Sequence, residues 1–180
     1  MTIVFKSLVY SHIDYALPIW GAVSNANLRR CHNTITHFLK CLFVKGYSFN
    51  CRRNDNILRA NKKKKFDDYY KLYEKLSCLT VFERHTYVTV LFTRSLLDHQ
   101  DILDCFNRVL RPASQSQRSF RSNVLRVPSG SSFINDSFLF RAAKLWNMLP
   151  NKVKSLGNAS FKFELNRWLV ENRNSPSVVF

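Results

Sequence analysis

Apolar residues recur at helical spacing in the first part of the chain. They predict a helix over residues 2–16, which Pro18 ends because proline lacks the backbone N–H that the next turn needs. A second, amphipathic helix is predicted from an N-cap at Asn27 to near Gly46. The apolar face of this second helix consists of Leu28, Cys31, Ile35, Phe38, Leu39, Leu42 and Phe43.

The middle of the chain changes from a polar stretch to further helices. Residues 47–65 are polar and basic, which predicts a loop. The helical period then returns in Phe66, Tyr69, Tyr73, Leu76 and Leu79. Thr80 and Glu83 have the spacing of a capping box, so a new helix is predicted to begin there and to continue to about Asp98. A short helix is predicted over 101–110.

The last third of the chain predicts a small helical lobe. Two apolar stretches on either side of a Ser-Gly turn, within 123–135, allow a β-hairpin, and helices are predicted over 137–148 and 160–171. We therefore predict a mainly α protein. Its parts are a helical region at 1–111 with the basic loop 47–65, a Ser-, Gln- and Arg-rich linker at 112–122, a small C-terminal lobe at 123–172 and a flexible tail at 173–180.

The helix predicted over 137–148 has one apolar face, which we expect to form the centre of this lobe. That face contains Phe138, Ala142, Leu145, Trp146 and Leu149. Together with the final helix it predicts a core made of Trp146, Leu149, Pro150, Phe161, Leu165 and Trp168. The basic side chains expected on the outside are those of Arg141, Lys144, Lys152 and Lys154.

Charge adds a functional expectation to this helical picture. The chain has 28 Lys and Arg against 12 Asp and Glu, a formal net charge of +16, which predicts a polyanionic partner, RNA or DNA. The excess is uneven, because 29–65 contains 11 basic and one acidic residue whereas 66–107 contains four basic and seven acidic residues. We expect phosphate contacts from two basic patches: Arg29, Arg30, Arg52, Arg53, Lys62, Lys63, Lys64 and Lys65 in the first, and Arg118, Arg121 and Arg126 in the second.

Two short motifs, Tyr69-Tyr70-Lys71 and Phe161-Lys162-Phe163, interleave aromatic with basic residues. Aromatic rings stack on unpaired bases in proteins that bind single strands, so these motifs are candidates for such contacts. Aromatic residues at helical spacing are more often core residues, and we expect most of these rings in the core.

Composition excludes several classes of protein. The four glycines cannot form a phosphate-cradling loop, so we expect no nucleotide cofactor, and indeed no cofactor of any kind. The longest stretch without a charged residue, 15–28, has 14 residues where a membrane span needs about 20, so no membrane interaction is expected. Without a secretory signal, five irregularly spaced cysteines predict reduced thiols in an intracellular protein, nuclear or cytoplasmic and not secreted.

The sequence around each candidate catalytic or metal-binding group argues against such a role. Asp67-Asp68 resembles the paired aspartates that hold metal ions in polymerases, but lysines precede the pair where a strand is needed. Cys31 and Cys41 are about 15 Å apart on one continuous helix, too far to share a zinc ion. We therefore expect no catalytic residue and no metal site.

Both ends of the chain carry motifs that resemble one family. The N-terminal motif is 7–15 followed by Pro18-Ile19-Trp20-Gly21, Leu28 and Asn33. The C-terminal motifs are Arg121-Ser122, Leu125, Val127-Pro128, Ser132-Phe133, Asn135-Asp136-Ser137-Phe138, Ala142-Ala143, Leu145-Trp146-Asn147-Met148-Leu149-Pro150, Val153-Lys154, Ser160-Phe161-Lys162, Leu165 and Trp168-Leu169. In order and spacing these resemble the region after the palm in reverse transcriptases of jockey-like non-LTR retrotransposons, which are RNA-directed DNA polymerases. The resemblance covers nearly the whole chain and is weakest across 46–110.

The resemblance implies a helical thumb and a basic tail that would grip template and primer. The metal-binding aspartates of the family's palm match no residue here, so it implies no catalytic residue. One interpretation is a non-catalytic C-terminal fragment that binds RNA or DNA through its basic patches. The alternative is a functionless remnant whose apolar faces, with Phe5, Val9 and Trp20 partly exposed, once packed on a missing palm. A membrane-surface binder fits less well, because the basic residues lie in loops as much as on one helical face.

Overall fold

Helices account for about four fifths of the described part of this protein. The computed structural model describes residues 6–15, 17–18, 25–43, 71–99, 124–127 and 137–173. In order these contain a π-helical turn at Lys6–Tyr10, α1 at Ser11–Asp14, α2 at Asn25–Phe43, α3 at Val81–Asp98, α4 at Phe138–Met148, α5 at Asn151–Lys154 and α6 at Asn158–Glu171. No β-strand occurs within these ranges, which confirms the mainly α prediction. The predicted basic loop, the helix at 101–110, the linker and most of the hairpin lie outside the described residues.

Helix α2 begins earlier than its sequence predicts. It starts at Asn25, so Asn27, which we expected at the N-cap, lies inside the first turn. The apolar period starts only at Leu28 and gives no sign of the polar turn before it. Phe38 and Leu42, predicted on the buried face, remain 42% and 44% exposed. The apolar cluster covers only the side of α2 that carries Leu28, Ile35 and Leu39.

A tight turn connects the helical segment 71–75 to α3. Ser77 has a φ of 49°, in the left-handed region that favours glycine. Its N–H donates to the carbonyl of Glu74 at 2.9 Å, and the N–H of Cys78 donates to the carbonyl of Tyr73 at 2.9 Å. This pair of bonds is the Schellman pattern that ends helices. The turn therefore stops one helix and directs the chain into the next.

Helix α3 begins at the predicted capping box. The N–H of Glu83 donates to Thr80 Oγ1 at 3.3 Å, and the N–H of Thr80 donates to Glu83 Oε2 at 2.7 Å. Both reciprocal bonds of the motif are present, so the prediction is confirmed. The helix ends at Asp98, as its sequence predicts.

Two apolar clusters stabilise the described helices, and α3 contributes to both. The N-terminal cluster contains Tyr10, Ile13, Leu17, Leu28, Ile35, Leu39, Tyr73, Leu76, Cys78 and Val81. The C-terminal cluster contains Leu79, Val90, Leu96, Leu125, Ala143, Leu145, Trp146, Leu149, Val153, Phe161, Leu165 and Leu169. Because Val81 belongs to the first and Val90 to the second, α3 connects the two groups of helices. The predicted boundary at 112–122 lies outside the described residues and stays a prediction.

The C-terminal helices lie close to their predicted positions. Ser137 caps α4 by accepting a hydrogen bond from the N–H of Phe140 at 3.3 Å. Of the expected core residues, four are buried and Trp168 is half-buried; the buried four are Trp146, Leu149, Phe161 and Leu165. Pro150, which we also expected in the core, is exposed. It occupies the N-cap of α5, where its carbonyl accepts the N–H of Val153 at 2.9 Å and its own missing N–H has no consequence.

Two basic residues expected on the outside are buried. The guanidinium of Arg141 donates to Asn25 Oδ1 at 3.2 Å, so it connects α4 to the start of α2. Lys154 lies with its ammonium 5.9 Å from the ring centre of Trp146, and burial lowers the pKa of this lysine. Lys144 and Lys152 are exposed, as expected. The number of charges alone could not distinguish buried from exposed residues here. Each of the two helices carries one of each kind: Arg141 and Lys144 are on α4, and Lys154 and Lys152 are on α5.

Candidate nucleic-acid interface

Three of the predicted phosphate-binding residues lie in the described part of the chain. Arg29 and Arg30 are exposed on α2, and Arg126 is exposed in the segment 124–127. The others lie outside the described residues: Arg52, Arg53, Lys62, Lys63, Lys64, Lys65, Arg118 and Arg121. The described part of the candidate interface therefore comprises two places, the exposed side of α2 and the segment 124–127 beside α4.

The exposed side of α2 begins with the two arginines and also includes apolar residues further along. Arg29 and Arg30 follow the buried Leu28 and are both exposed; at about 100° per residue Arg29 lies at the edge of the buried side and Arg30 nearly opposite Leu28. Thr34, one turn further on, is exposed and donates its hydroxyl to the carbonyl of Arg30 at 3.0 Å. Exposed guanidinium groups on a helix can contact phosphate oxygens without any rearrangement of the backbone.

Arg126 is positioned by a contact on the neighbouring residue. Asn147 of α4 accepts a hydrogen bond from the N–H of Leu125 at 2.7 Å and donates one to the Leu125 carbonyl at 2.7 Å. Leu125 is buried while Arg126 is exposed, so the segment is attached by one residue and presents the next to solvent. Sequence reasoning missed this role of Asn147. The available signal was a polar residue between Trp146 and Met148 in a helix that is otherwise apolar there.

Other basic residues form ion pairs within the protein, so their charges are not available to an external partner. Arg173, which we expected at the start of a flexible tail, contacts both carboxylate oxygens of Glu83, at 2.6 and 3.2 Å. Glu83 is only 2% exposed, and it also accepts the N–H of Thr80. The buried carboxylate is therefore satisfied on both oxygens. This pair fastens the end of α6 to the beginning of α3.

Arg84 is another internally paired cation. It forms two hydrogen bonds with Asp14, one of them 2.8 Å from Arg84 Nε to Asp14 Oδ1. Its guanidinium also lies 4.9 Å from the ring centre of Tyr10 and 5.2 Å from that of Tyr87. Burial acts against its charge, but hydrogen bonding to Asp14 outweighs burial and raises the pKa of Arg84. Arg84 of α3 therefore connects this helix to the end of α1.

The aromatic-basic motif at 161–163 divides between core and surface. Phe161 is fully buried, and its ring centre lies 4.3 Å from the guanidinium carbon of Arg94. Phe163 is 68% exposed, and Lys162 between them is exposed. The helical period explains the difference, because Phe161, Leu165 and Leu169 share the buried side of α6. Of the motif at 69–71, only the exposed Lys71 is described.

Burial is the main cause of the pKa shifts of His32, His85 and Cys31. Burial lowers the pKa of His32 to about 4, and burial with the nearby charge of Arg141 lowers that of His85 to about 4. Cys31, Cys41 and Cys78 are free thiols, and burial raises the pKa of Cys31. Within the described ranges no three side chains of the metal-binding types are close enough to hold an ion, and Asp67 and Asp68 lie outside them.

Compared with known proteins, the chain matches no family model, no curated protein and no solved structure. In the part of the chain that the structure describes, no helix combines the length and the apolar character needed to cross a membrane.

Proposed function

We propose that this chain is a non-catalytic module that binds the phosphate backbone of RNA or DNA, similar to the C-terminal region of a retrotransposon RNA-directed DNA polymerase. The observation that supports it is the division of α2 into a buried apolar side and an outer side that begins with Arg29 and Arg30. The net charge of +16 supplies the long-range attraction for a polyanion.

The scaffold under these arginines is rigid enough to position them. Leu28 and Leu39 of α2 are almost completely buried, and Thr36 lies 3.0 Å from the hydroxyl of Tyr73. Arg29 and Arg30 therefore project from a helix that is held along much of its length. Because phosphate contacts need only charge at a fixed surface, little dependence on base sequence is expected.

Substitution of the outer face of α2 tests the proposal. We expect Arg29→Ala combined with Arg30→Ala to weaken binding of a mixed-sequence RNA or DNA oligonucleotide by about tenfold or more at low salt, since each lost charge removes a phosphate contact. The matched control is Lys152→Ala, another exposed basic residue that lies outside both patches. Fluorescence anisotropy measures the affinities. Equal affinity of the double variant and the wild type contradicts the proposal for this face.

A second candidate function is favoured by the exposed apolar residues of α2. Phe38 and Leu42 are one turn apart and each more than two fifths exposed, whereas Val9 is half-buried and Phe5 and Trp20 lie outside the described residues. In the remnant interpretation this surface once packed on a polymerase palm, and without it the purified chain should self-associate. Sedimentation velocity distinguishes the two. Self-association relieved by Phe38→Ser with Leu42→Ser supports a remnant, and a monomer at high concentration contradicts it.

A further inference from the structure

A groove of about 470 Å³ lies between α6 and the beginning of α3. Its floor is formed by the turn that precedes α3, and α6 provides one wall. The lining residues that bear on its chemistry are Tyr10, Arg84, Tyr87, Lys162, Phe163 and Asn166. The volume falls in the range of about 300–1,000 Å³ that is typical of small-ligand sites.

The α6 wall combines three exposed side chains of different chemistry. Phe163 presents an aromatic surface that is 68% exposed, far from the buried side of α6. Lys162 and Asn166 are also exposed and lie one turn apart on the same wall. An aromatic face, a cation and an amide therefore converge on one groove.

The opposite wall is fixed, and its cation is already paired with Asp14. Arg84 is held by Asp14 and by its position between the rings of Tyr10 and Tyr87, so its location does not depend on a ligand. Tyr10 donates its hydroxyl to the carbonyl of Leu79 at 2.6 Å, which keeps its ring in the floor. The groove is thus preformed on this side, and a ligand pays no ordering cost there.

We propose that this groove binds one unpaired nucleobase of a single-stranded RNA or DNA. Phe163 is the stacking surface, Lys162 contacts the adjoining phosphate, and the amide of Asn166 forms a hydrogen bond with the base edge. The inference rests on the proposed function, since it assumes that the chain binds nucleic acid. It adds that the bases, and not only the phosphates, contribute to affinity.

The combination of groups favours a base over other occupants. Stacking platforms next to basic residues are the recurring feature of single-strand binding sites. An acidic peptide would use Lys162, but it offers no planar group for Phe163. An apolar peptide would offer no partner to Lys162.

The test compares two single-stranded oligonucleotides of equal length, one with normal bases and one with abasic sites throughout. Wild type should bind the normal one more tightly. Phe163→Ala should weaken binding of the normal oligonucleotide at least about fivefold, the lower end of what one base stack contributes, and leave the abasic one unchanged. Phe163→Trp should restore the preference. The control is Tyr15→Ala, which removes an aromatic ring that is 83% exposed and does not line the groove.

The outcomes separate this inference from the proposed function. A wild-type chain that binds neither oligonucleotide contradicts the proposed function and the groove together. If the wild type binds both strands equally, or if Phe163→Ala binds the normal strand as tightly as the wild type, base binding by the groove is contradicted and the proposed function is not. The groove assignment is also contradicted if an acidic peptide displaces the abasic and the normal strand at the same peptide concentration.

A second measurement does not depend on a variant. A bromouracil-containing strand irradiated on the wild-type chain should crosslink to the peptide that contains Phe163 or to the one that contains Tyr87, as located by mass spectrometry. The same experiment with an RNA strand and with a DNA strand shows which sugar the groove accepts. Crosslinks that fall only on peptides outside the groove overturn the assignment.

Discussion

The carboxamide of Asn147 is paired with the backbone of Leu125 on both of its sides. Its oxygen accepts the Leu125 N–H and its nitrogen donates to the Leu125 carbonyl, each at 2.7 Å. The side chain therefore occupies the place that a neighbouring strand would take and satisfies a buried peptide group. This gives the polar residue after Trp146 a structural role, which is to hold the segment that carries Arg126 against α4.

Removal of this amide should be costly. Asn147→Ala leaves the N–H and the carbonyl of Leu125 without their partner, so we expect unfolding to become easier by about 2–3 kcal/mol. Asn151→Ala, at an exposed asparagine a few residues later, should change stability by less than about 0.5 kcal/mol. Urea denaturation measures both. Equal stability of the two variants would show that the pairing is not energetically important.

Trp146 should carry more of the stability than any charged residue near it. Its ring is buried, 6.3 Å from the ring centre of Phe161, so Trp146→Ala should cost about 3–5 kcal/mol. Lys152→Ala, at an exposed site, should cost less than about 0.5 kcal/mol. Thermal melting compares them. Unchanged melting together with weaker oligonucleotide binding would mean that Trp146 is a stacking platform instead.

The turn before α3 offers a stabilising substitution. Ser77 adopts a left-handed backbone conformation that costs about 1 kcal/mol for a residue with a Cβ, so Ser77→Gly should stabilise the chain by up to about that amount. Ser155 is the matched control, because it also ends a helix but has a φ of −80°. Ser155→Gly should give no gain. A destabilised Ser77→Gly variant would contradict the assignment of strain to this residue.

Two histidines, the buried His85 and the half-buried His32, predict a loss of stability in acid. The pKa values of His32 and His85 are lowered to about 4 in the folded chain, below the ordinary value of 6.5. The unfolded chain therefore binds more protons between these values. Stability is therefore unaffected by these groups well above pH 6.5 and is lost as the pH falls towards 4, by at most about 1.4 kcal/mol per pH unit for each histidine.

A variant at His32 isolates part of this effect. His32 lies 5.7 Å from the ring centre of Tyr73 and 5.2 Å from that of Phe82, so His32→Phe keeps an aromatic ring there and removes the titration. Its stability should fall less steeply with acid than that of the wild type. His99→Gln, at an exposed histidine, is the control. If His32→Phe has the wild-type pH dependence of unfolding, burial of His32 is not the cause.

The elements that the sequence predicted well are those with local signals. The capping box at Thr80 and Glu83 and the period that ends at Met148 involve residues only a few positions apart. The start of α2 was missed because its first turn, from Asn25, is polar. Pro150 was assigned to the core because the pattern shows where a helix ends but not which side of the chain then faces solvent.

The distribution of charge was harder to predict, because it depends on contacts between distant parts of the chain. Arg84 meets Asp14 across 70 positions, and Arg173 meets Glu83 across 90. Composition counts such arginines with those that face outwards. Only the folded arrangement separates Arg84 and Arg173 from Arg29 and Arg30, which are exposed.

The salt dependence of oligonucleotide affinity tests the central claim most directly. If the chain binds phosphates, the logarithm of its affinity should fall linearly with the logarithm of salt concentration, by about 0.7–0.9 for each phosphate contacted. The slope should become shallower by about two such steps in the Arg29→Ala, Arg30→Ala double variant and remain at the wild-type value in Lys152→Ala. A flat salt titration of the wild-type chain would contradict the account.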